Sequence, residues 1–364
     1  MDRFRWIFVV LLLSLLGLWD SISLMAQPEA NSVYPSYQAM INGQTDPPPK
    51  DELTKLRELA AEGDEVAQFK LALAYDYGQG VPENKILAFY WYLSAAKLGQ
   101  PDAQHNLGVA YATGEGVEQN LEEAFNWFLA AAQQGKIEAQ FNLALAYNQG
   151  QGTPQDKALA IEWFFKAAER GHLPSQFNLG VIYSSGDGYP KNMPEALKWF
   201  EKAAEQGDLG SQFNLGVIYS QGQDTPVDMA KAYMWYTKAA ESGHPGASLN
   251  LGIIHHFGQG APVNKVQAIR WYTLAAEKGE PTAQYNLGIL YAQDSEVPKN
   301  EALAVAFFRA AADQGHNMAA YALSQAYQNG LGVSKDLAQA QVWLRKAAEL
   351  GHERAKKTLA EFGN

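Results

Sequence analysis

From Asp51 onward, apolar residues recur at helical spacing in short, paired stretches. Between Asp208 and Gly243, Ser211, Leu215 and Tyr219 fall at i, i+4 and i+8, which places them on one face of a helix, A. Gly216 lies beside Leu215 and lets a second helix approach closely. A turn follows over Gly222-Gln223-Asp224-Thr225-Pro226, and Asp228 stands where its carboxylate can cap the next helix. That helix, B, carries Ala232, Trp235, Tyr236, Ala239 and Ala240, and it ends at Gly243, a residue suited to the left-handed backbone that closes a helix.

The same pattern runs along the chain without a gained or lost residue. Glycines stand at 63, 99, 135, 171, 207, 243, 279, 315 and 351, each 36 residues after the last and each preceded by an Ala-Ala step. Other columns keep the register. Tryptophan occupies 91, 127, 163, 199, 235, 271 and 343, with Phe307 in the gap. Tyrosine occupies 75, 111, 147, 183, 219, 291 and 327, with His255 in the gap. The B-helix cap is Asn84, Asn120, Asp156, Asn192, Asp228, Asn264, Asn300 and Asp336, and a small alanine recurs at 88, 124, 160, 196, 232, 268, 304 and 340. One helix pair cannot bury its apolar face alone, but stacked pairs can, so a fixed period of this size predicts a solenoid.

These residues carry a family resemblance. The Leu107-Gly108…Tyr111 motif of helix A, the Gly114-Glu115-Gly116-Val117 turn and the Ala124…Trp127…Gly135 pattern of helix B resemble Sel-1-like repeats, relatives of the tetratricopeptide solenoids. The resemblance runs from about Asp51 to the end and implies an all-α, right-handed superhelical α-solenoid. The expected organisation is a signal peptide at 1–26, a Pro-rich disordered spacer at 27–50, a capping helix at 51–63, eight repeats at 64–351 and a C-terminal capping helix at 352–364. The departures are local: Asp294-Ser295-Glu296 replaces the Gly-x-Gly turn of the seventh repeat, and Phe307 replaces its Trp.

The N-terminus adds an address. Arg3 and Arg5 precede an apolar run from Ile7 to Trp19, and small Ala26 stands where a signal peptidase would cut. The run is shorter than the roughly 20 residues that a membrane-spanning helix needs. Two outcomes stand, a cleaved signal or an uncleaved anchor, and only the second gives membrane contact. Either way the chain is expected to be exported, to the periplasm if bacterial or to the secreted space. Pro28, Pro35 and Pro47-Pro48-Pro49 mark the spacer. The net charge of -11 argues against nucleic acid and anionic membrane surfaces. Cysteine is absent, so no disulfide framework, thiolate metal site or lipoprotein anchor is expected.

Candidate chemistry is sparse. The resemblance implies that helix A lines a concave face that binds extended peptides. On the outward side of those helices runs the row Asn106, Asn142, Asn178, Asn214, Asn250 and Asn286, between Lys70 and Ala322. An asparagine carries a donor and an acceptor, so such a row can pair with the backbone of an extended chain; related peptide-binding solenoids use asparagine at the matching position. The competing reading is that each asparagine bonds the neighbouring repeat. Beside it run Phe69, His105, Phe141, Phe177, Phe213, Leu249, Tyr285 and Tyr321, readable as grips for side chains or as core. The Gly-x-Gly turns follow helices, not strands, and no Lys-Ser/Thr follows, so they are turns and not phosphate cradles. His172, His244, His316 and His352 are too far apart in most pairings to share a metal, and adjacent His255 and His256 should diverge, one inward and one outward. No catalytic set converges, and neither a metal nor a cofactor is expected. The chain is read as a monomeric, non-catalytic scaffold that holds protein partners or extended peptides. The alternative is a binder of cell-wall glycan or polysaccharide, or an envelope hydrolase built on the same platform.

Overall fold

A computed structural model describes residues 50–362 apart from 223 and 295. The expected signal peptide and nearly all of the spacer lie outside the described residues. Lys50, assigned to the spacer from sequence, already begins a helix. Among the described residues there are eighteen helices and no strand: α1 Lys50–Ala61, α2 Glu65–Tyr77, α3 Lys85–Lys97, α4 Pro101–Thr113, α5 Leu121–Gln133, α6 Ile137–Gln149, α7 Lys157–Glu169, α8 Leu173–Ser185, α9 Met193–Glu205, α10 Leu209–Gln221, α11 Met229–Glu241, α12 Pro245–Phe257, α13 Lys265–Glu277, α14 Pro281–Gln293, α15 Glu301–Asp313, α16 Asn317–Asn329, α17 Leu337–Glu349 and α18 Glu353–Phe362. The even-numbered helices from α2 to α16 are A helices, and the odd-numbered ones from α3 to α17 are B helices. The chain divides into two compact units, one comprising residues up to 103 with 114–118, the other 104–113 with 119 onward. In the smaller, α1, α2 and α3 pack in sequence. In the larger, each A helix from α6 packs on the B helix that follows, and that B helix on the next A helix.

Local chemistry places each helix end. Asn84, Asn120, Asp156, Asn192, Asp228, Asn264, Asn300 and Asp336 each accept backbone N–H bonds from the first turn of a B helix. Their own amides reach back to the A helix: Asn84 N–H donates to the Tyr75 carbonyl at 2.8 Å, and Asp228 N–H to that of Tyr219 at 2.9 Å. All nine ladder glycines have φ between +86° and +100°. This is left-handed backbone that costs a residue with a Cβ about 1 kcal/mol or more. Asp224 stands at φ 56°, where most repeats have the second turn glycine, and its carboxylate lies 2.6 Å from Lys191 Nζ.

The seventh turn is held differently. Asp294 is extended, at φ -74°, so the missing glycine leaves no strain. Its carboxylate instead pairs with Lys265 at 3.2 Å, with both side chains about 15% exposed. It also accepts the Glu296 N–H at 2.9 Å. These donors hold the Asp294 carboxyl below its usual range, against the upward push of burial.

Leu71, Leu107, Leu143, Leu179, Leu215, Leu251, Leu287 and Leu323 are all at most 1% exposed, and each contributes about 2 kcal/mol by leaving water. They face a B-helix ring column: Tyr92, Phe128, Phe164, Phe200, Tyr236, Tyr272 and Phe308 are all buried. This column carries more of the core than the tryptophans, of which only Trp199, Trp235 and Trp271 are buried while those toward either end are half-exposed. The A-helix glycine makes room for these rings. A Cβ on Gly216 would lie 2.4 Å from the Tyr236 ring, and one on Gly288 would lie 2.4 Å from Phe308. Ala72 and Ala144 occupy the same position in other repeats, so a methyl fits after a small shift. A branched side chain does not. Gly216→Val should therefore lower stability by about 2–3 kcal/mol in urea unfolding followed by circular dichroism; an unchanged midpoint would contradict the packing described here.

Candidate functional site

The predicted row lies along the A helices of the larger unit, but its members are in different states. Asn106 is buried at the N-terminal end, and its Oδ1 lies 3.2 Å from His105 Nδ1. Asn142 Nδ2 lies 3.0 Å from His105 Nε2. An amide NH₂ only donates, so Nε2 accepts and Nδ1–H donates to Asn106. One buried imidazole thus ties α4 to α6. At the other end, the Asn250 amide faces the Tyr236 hydroxyl and the Asn286 amide that of Tyr272; these hydroxyls also pair with Ser220 Oγ at 3.0 Å and His256 Nδ1 at 3.3 Å. Both hydroxyls sit in the core, where burial pushes their pKa up and makes a partner necessary. Asn142, Asn250 and Asn286 thus face a group on another helix, whereas Asn106 pairs with the adjacent His105 of its own helix.

The central pair differs. Phe164 and Phe200 occupy the ring positions that Tyr236 and Tyr272 fill further on, and they present no hydroxyl. Asn178 Nδ2 turns to the Pro174 carbonyl of its own helix at 2.8 Å, which leaves its Oδ1 unused. Asn214, half-buried, makes no side-chain hydrogen bond among the described residues. What separates Asn178 and Asn214 from Asn250 and Asn286 lies in the sequence as Phe against Tyr fourteen residues earlier; Asn142 also has a phenylalanine there, Phe128, and is held by His105 instead. The difference becomes meaningful only once the two positions are known to touch.

The aromatic row is committed to packing. Phe141, Phe177, Phe213 and Tyr285 are half-buried, each with its ring centroid 5.8–6.0 Å from the B-helix ring of its own repeat. The second face of three of them is covered by a histidine: Phe141 by His172 at 5.0 Å, Phe213 by His244 at 4.4 Å and Tyr285 by His316 at 4.8 Å. Phe177 instead leans on Gly210, where a Cβ would approach to 3.0 Å. The rings are thus chiefly walls of the face, and the core reading of this row describes them better than the grip reading.

Three of the four linker histidines cap the following helix through Nδ1. Nδ1 of His244, His316 and His352 each accepts a backbone N–H at 3.2 Å, and His172 Nδ1 pairs with Ser175 Oγ at 2.9 Å. A cap of this kind needs a neutral ring. Burial lowers the pKa of all four, to about 4 for His172 and His316. His255 and His256 do diverge, toward Tyr233 and Tyr272. The sequence-based wheel placed 256 outward, but it is buried at 9% exposure, because α13 presents the Tyr272 hydroxyl to it. No group of side chains among the described residues is arranged to hold a metal ion, and no described helix is long and apolar enough to cross a membrane.

The helices that carry Asn178 and Asn214 bear no charge, and the Asp208 carboxylate that caps α10 stands beside Gly210 at the edge of the face. α8 and α10 contain no Asp, Glu, Lys, Arg or His, while the B helices on either side of α10 each carry several charges.

A family model, the Sel1 repeat, matches eight consecutive segments: 66–100, 101–136, 137–172, 173–208, 210–244, 245–280, 281–316 and 317–352. The chain belongs to the Sel1 repeat family. Members of this family are typically non-enzymatic scaffolds and generally mediate protein–protein interaction. Two solved Sel1-type structures are similar over most of the chain. A protective antigen present in uropathogenic Escherichia coli strains, displaying an SLR fold, is 34% identical with a TM-score of 0.80, over 85% of this chain and 67% of its own. A Sel1 repeat protein from Oxalobacter formigenes is 31% identical with a TM-score of 0.70, over 86% of this chain and 92% of its own. No curated protein sequence matches the chain.

Proposed function

We propose that this Sel1 repeat chain is a non-catalytic scaffold that holds an extended segment of a protein partner against its A helices, centred on Asn178 and Asn214. The observation that carries the reading is the contrast within one row: four asparagines have a side-chain partner in His105, Tyr236 or Tyr272, while Asn178 bonds a backbone carbonyl of its own helix and Asn214 makes no side-chain hydrogen bond among the described residues. Unused amide donors and acceptors on uncharged helices suit the backbone of an extended chain, which offers both at every residue. Phe177, Phe213, Val181 and Val217 supply apolar surface beside them. Export to the periplasm or the secreted space belongs to the same proposal and is supported by the Arg3–Ala26 pattern.

The test is partner recovery from crosslinked cells. Changing Asn178 and Asn214 together to Ala should reduce recovery by about tenfold or more, since two hydrogen bonds of about 1 kcal/mol each are lost. A surface change on a B helix, Glu205→Ala, should leave recovery intact. Recovery should also depend only weakly on salt, because neither α8 nor α10 carries a charged side chain. Full recovery with the double variant would remove this face as the site.

A further inference from the structure

A second column of polar residues runs through the A helices, at the ends of the preceding B helices. Gln68, Gln140, Gln176, Gln212 and Gln284 each donate Nε2–H to the backbone carbonyl eight residues earlier: Ala60, Ala132, Ala168, Ala204 and Ala276, at 3.0–3.4 Å. Those carbonyls lie in the last turn of a helix, where each accepts the N–H of the glycine three residues on and keeps a second acceptor site for the amide. Where a glutamine also stands thirty residues further on, it donates to the Oε1 of the first: Gln134 to Gln104 at 2.7 Å, Gln206 to Gln176 at 2.6 Å and Gln314 to Gln284 at 2.9 Å. A primary carboxamide is thus the usual occupant of this position, donating inward to a helix-end carbonyl; it also accepts from the neighbouring repeat in three cases, while the Oε1 of Gln68, Gln140 and Gln212 is buried without a partner.

The sixth repeat lacks it. Ser248 stands in the column, and its short hydroxyl turns to the His244 carbonyl at 3.3 Å, away from Ala240. The Ala240 carbonyl keeps backbone donors in Gly243 N–H, at 2.9 Å, and Ser242 N–H, and lacks the amide donor that its counterparts have. A cavity of about 300 Å³ opens there, walled by Ala240, Ser248, Trp271 and Leu274, with Arg270 and Lys278 balanced by Glu241 and Glu277 in its lining. Lys278 lies thirty residues after Ser248, the position from which a glutamine reaches across in the paired repeats. Ala320 in the eighth repeat also lacks the amide, but the residue thirty positions on is apolar Leu350. The sixth repeat alone combines a vacated amide position, an open carbonyl and a cationic donor at the rim.

We propose that this cavity between α11, α12 and α13 binds the carboxamide of a glutamine side chain on a protein partner. The amide NH₂ donates to the Ala240 carbonyl, its oxygen accepts from Lys278, and its methylenes lie against Trp271 and Leu274. A carboxylate places two acceptors against the Ala240 carbonyl and is disfavoured inside, while an alkyl chain satisfies neither polar partner. This contact does not depend on the asparagine row.

The test uses the full chain and N-acetyl-glutamine N-methylamide, with the glutamate and norleucine analogues as controls, read as NMR shifts of the Trp271 indole N–H and the Gly243 amide. The glutamine probe should give saturable shifts in the millimolar range, as expected for a group of this size. The glutamate and norleucine probes should bind at least about tenfold more weakly, the cost of one unsatisfied buried polar contact. Ser248→Gln, which restores the residue of the other repeats, should abolish the response. Lys278→Ala, a surface change that leaves the fold intact, should weaken binding severalfold. Equal binding of the three probes, no saturation, or an undiminished response in Ser248→Gln would overturn the proposal. Binding of the asparagine-row partner is a separate readout, so failure of either reading leaves the other standing.

Discussion

Trp199→Ala should destabilise the chain by about 3–5 kcal/mol, the range for truncating a buried large aromatic. Trp199 is 1% exposed, packs edge-on against Phe165 at 5.6 Å and lies under the ammonium groups of Lys198 and Lys202 at 5.2 and 4.5 Å. Trp343→Ala, at a half-exposed ring, should cost markedly less. Trp199→Phe should cost under about 1.5 kcal/mol, because the buried Nε1–H has no acceptor and its removal relieves an unmade bond. Phe307 already fills the same column in the seventh repeat. In urea unfolding, Trp199→Ala should also separate the transition into two phases, since repeat arrays are stabilised through neighbours and a central lesion uncouples the two sides. A single transition within 1 kcal/mol of the parent would contradict this account of the core.

Acid should loosen the larger unit before the carboxylates are fully titrated. The His172 and His316 pKa values fall from 6.5 to about 4, first through burial, with Glu138 opposing in the case of His172. His256 falls to about 4 through burial and Lys265, with Asp294 opposing. A folded-state pKa below the unfolded value means that the folded chain prefers the neutral ring. That contribution is complete above pH 6.5 and is lost as pH falls toward 4, at most roughly 3 kcal/mol for each of these three groups. His244 and His352 shift in the same direction. The cap geometry gives the reason, since a protonated Nδ1 cannot accept the first-turn N–H. Thermal unfolding at pH 7.5 and pH 4.5 should therefore show a large loss of stability. His316→Asn, a cap that does not titrate, should flatten that dependence. An unchanged slope would show that His316 is not coupled to folding.

Much of this protein was legible before any coordinates. The 36-residue register, the helix boundaries, the eight B-helix caps and the left-handed glycines all follow from interactions within about ten residues. Composition and spacing report such interactions directly. The Leu column was legible for the same reason, because helical periodicity is a local property. The candidate site was legible only as a row. Which asparagines are spent depends on a ring from another helix, and Phe200 or Tyr236 at that position look interchangeable when only hydrophobicity is read. The aromatic row likewise resembled a binding stripe until the histidines of the links were seen lying on it.

The sequence by itself determined the all-α repeat architecture and the phase of every helix, since caps, glycines and apolar periodicity act over a few residues of backbone. Tertiary structure alone decided that Asn178 and Asn214 remain available, that His256 is buried, and that Ser248 leaves a cavity. Each of these turns on whether a particular hydroxyl, ring or amide arrives from a helix 8, 14 or 30 residues away. Packing brings those groups to within hydrogen-bonding distance, and no periodicity along the chain records it.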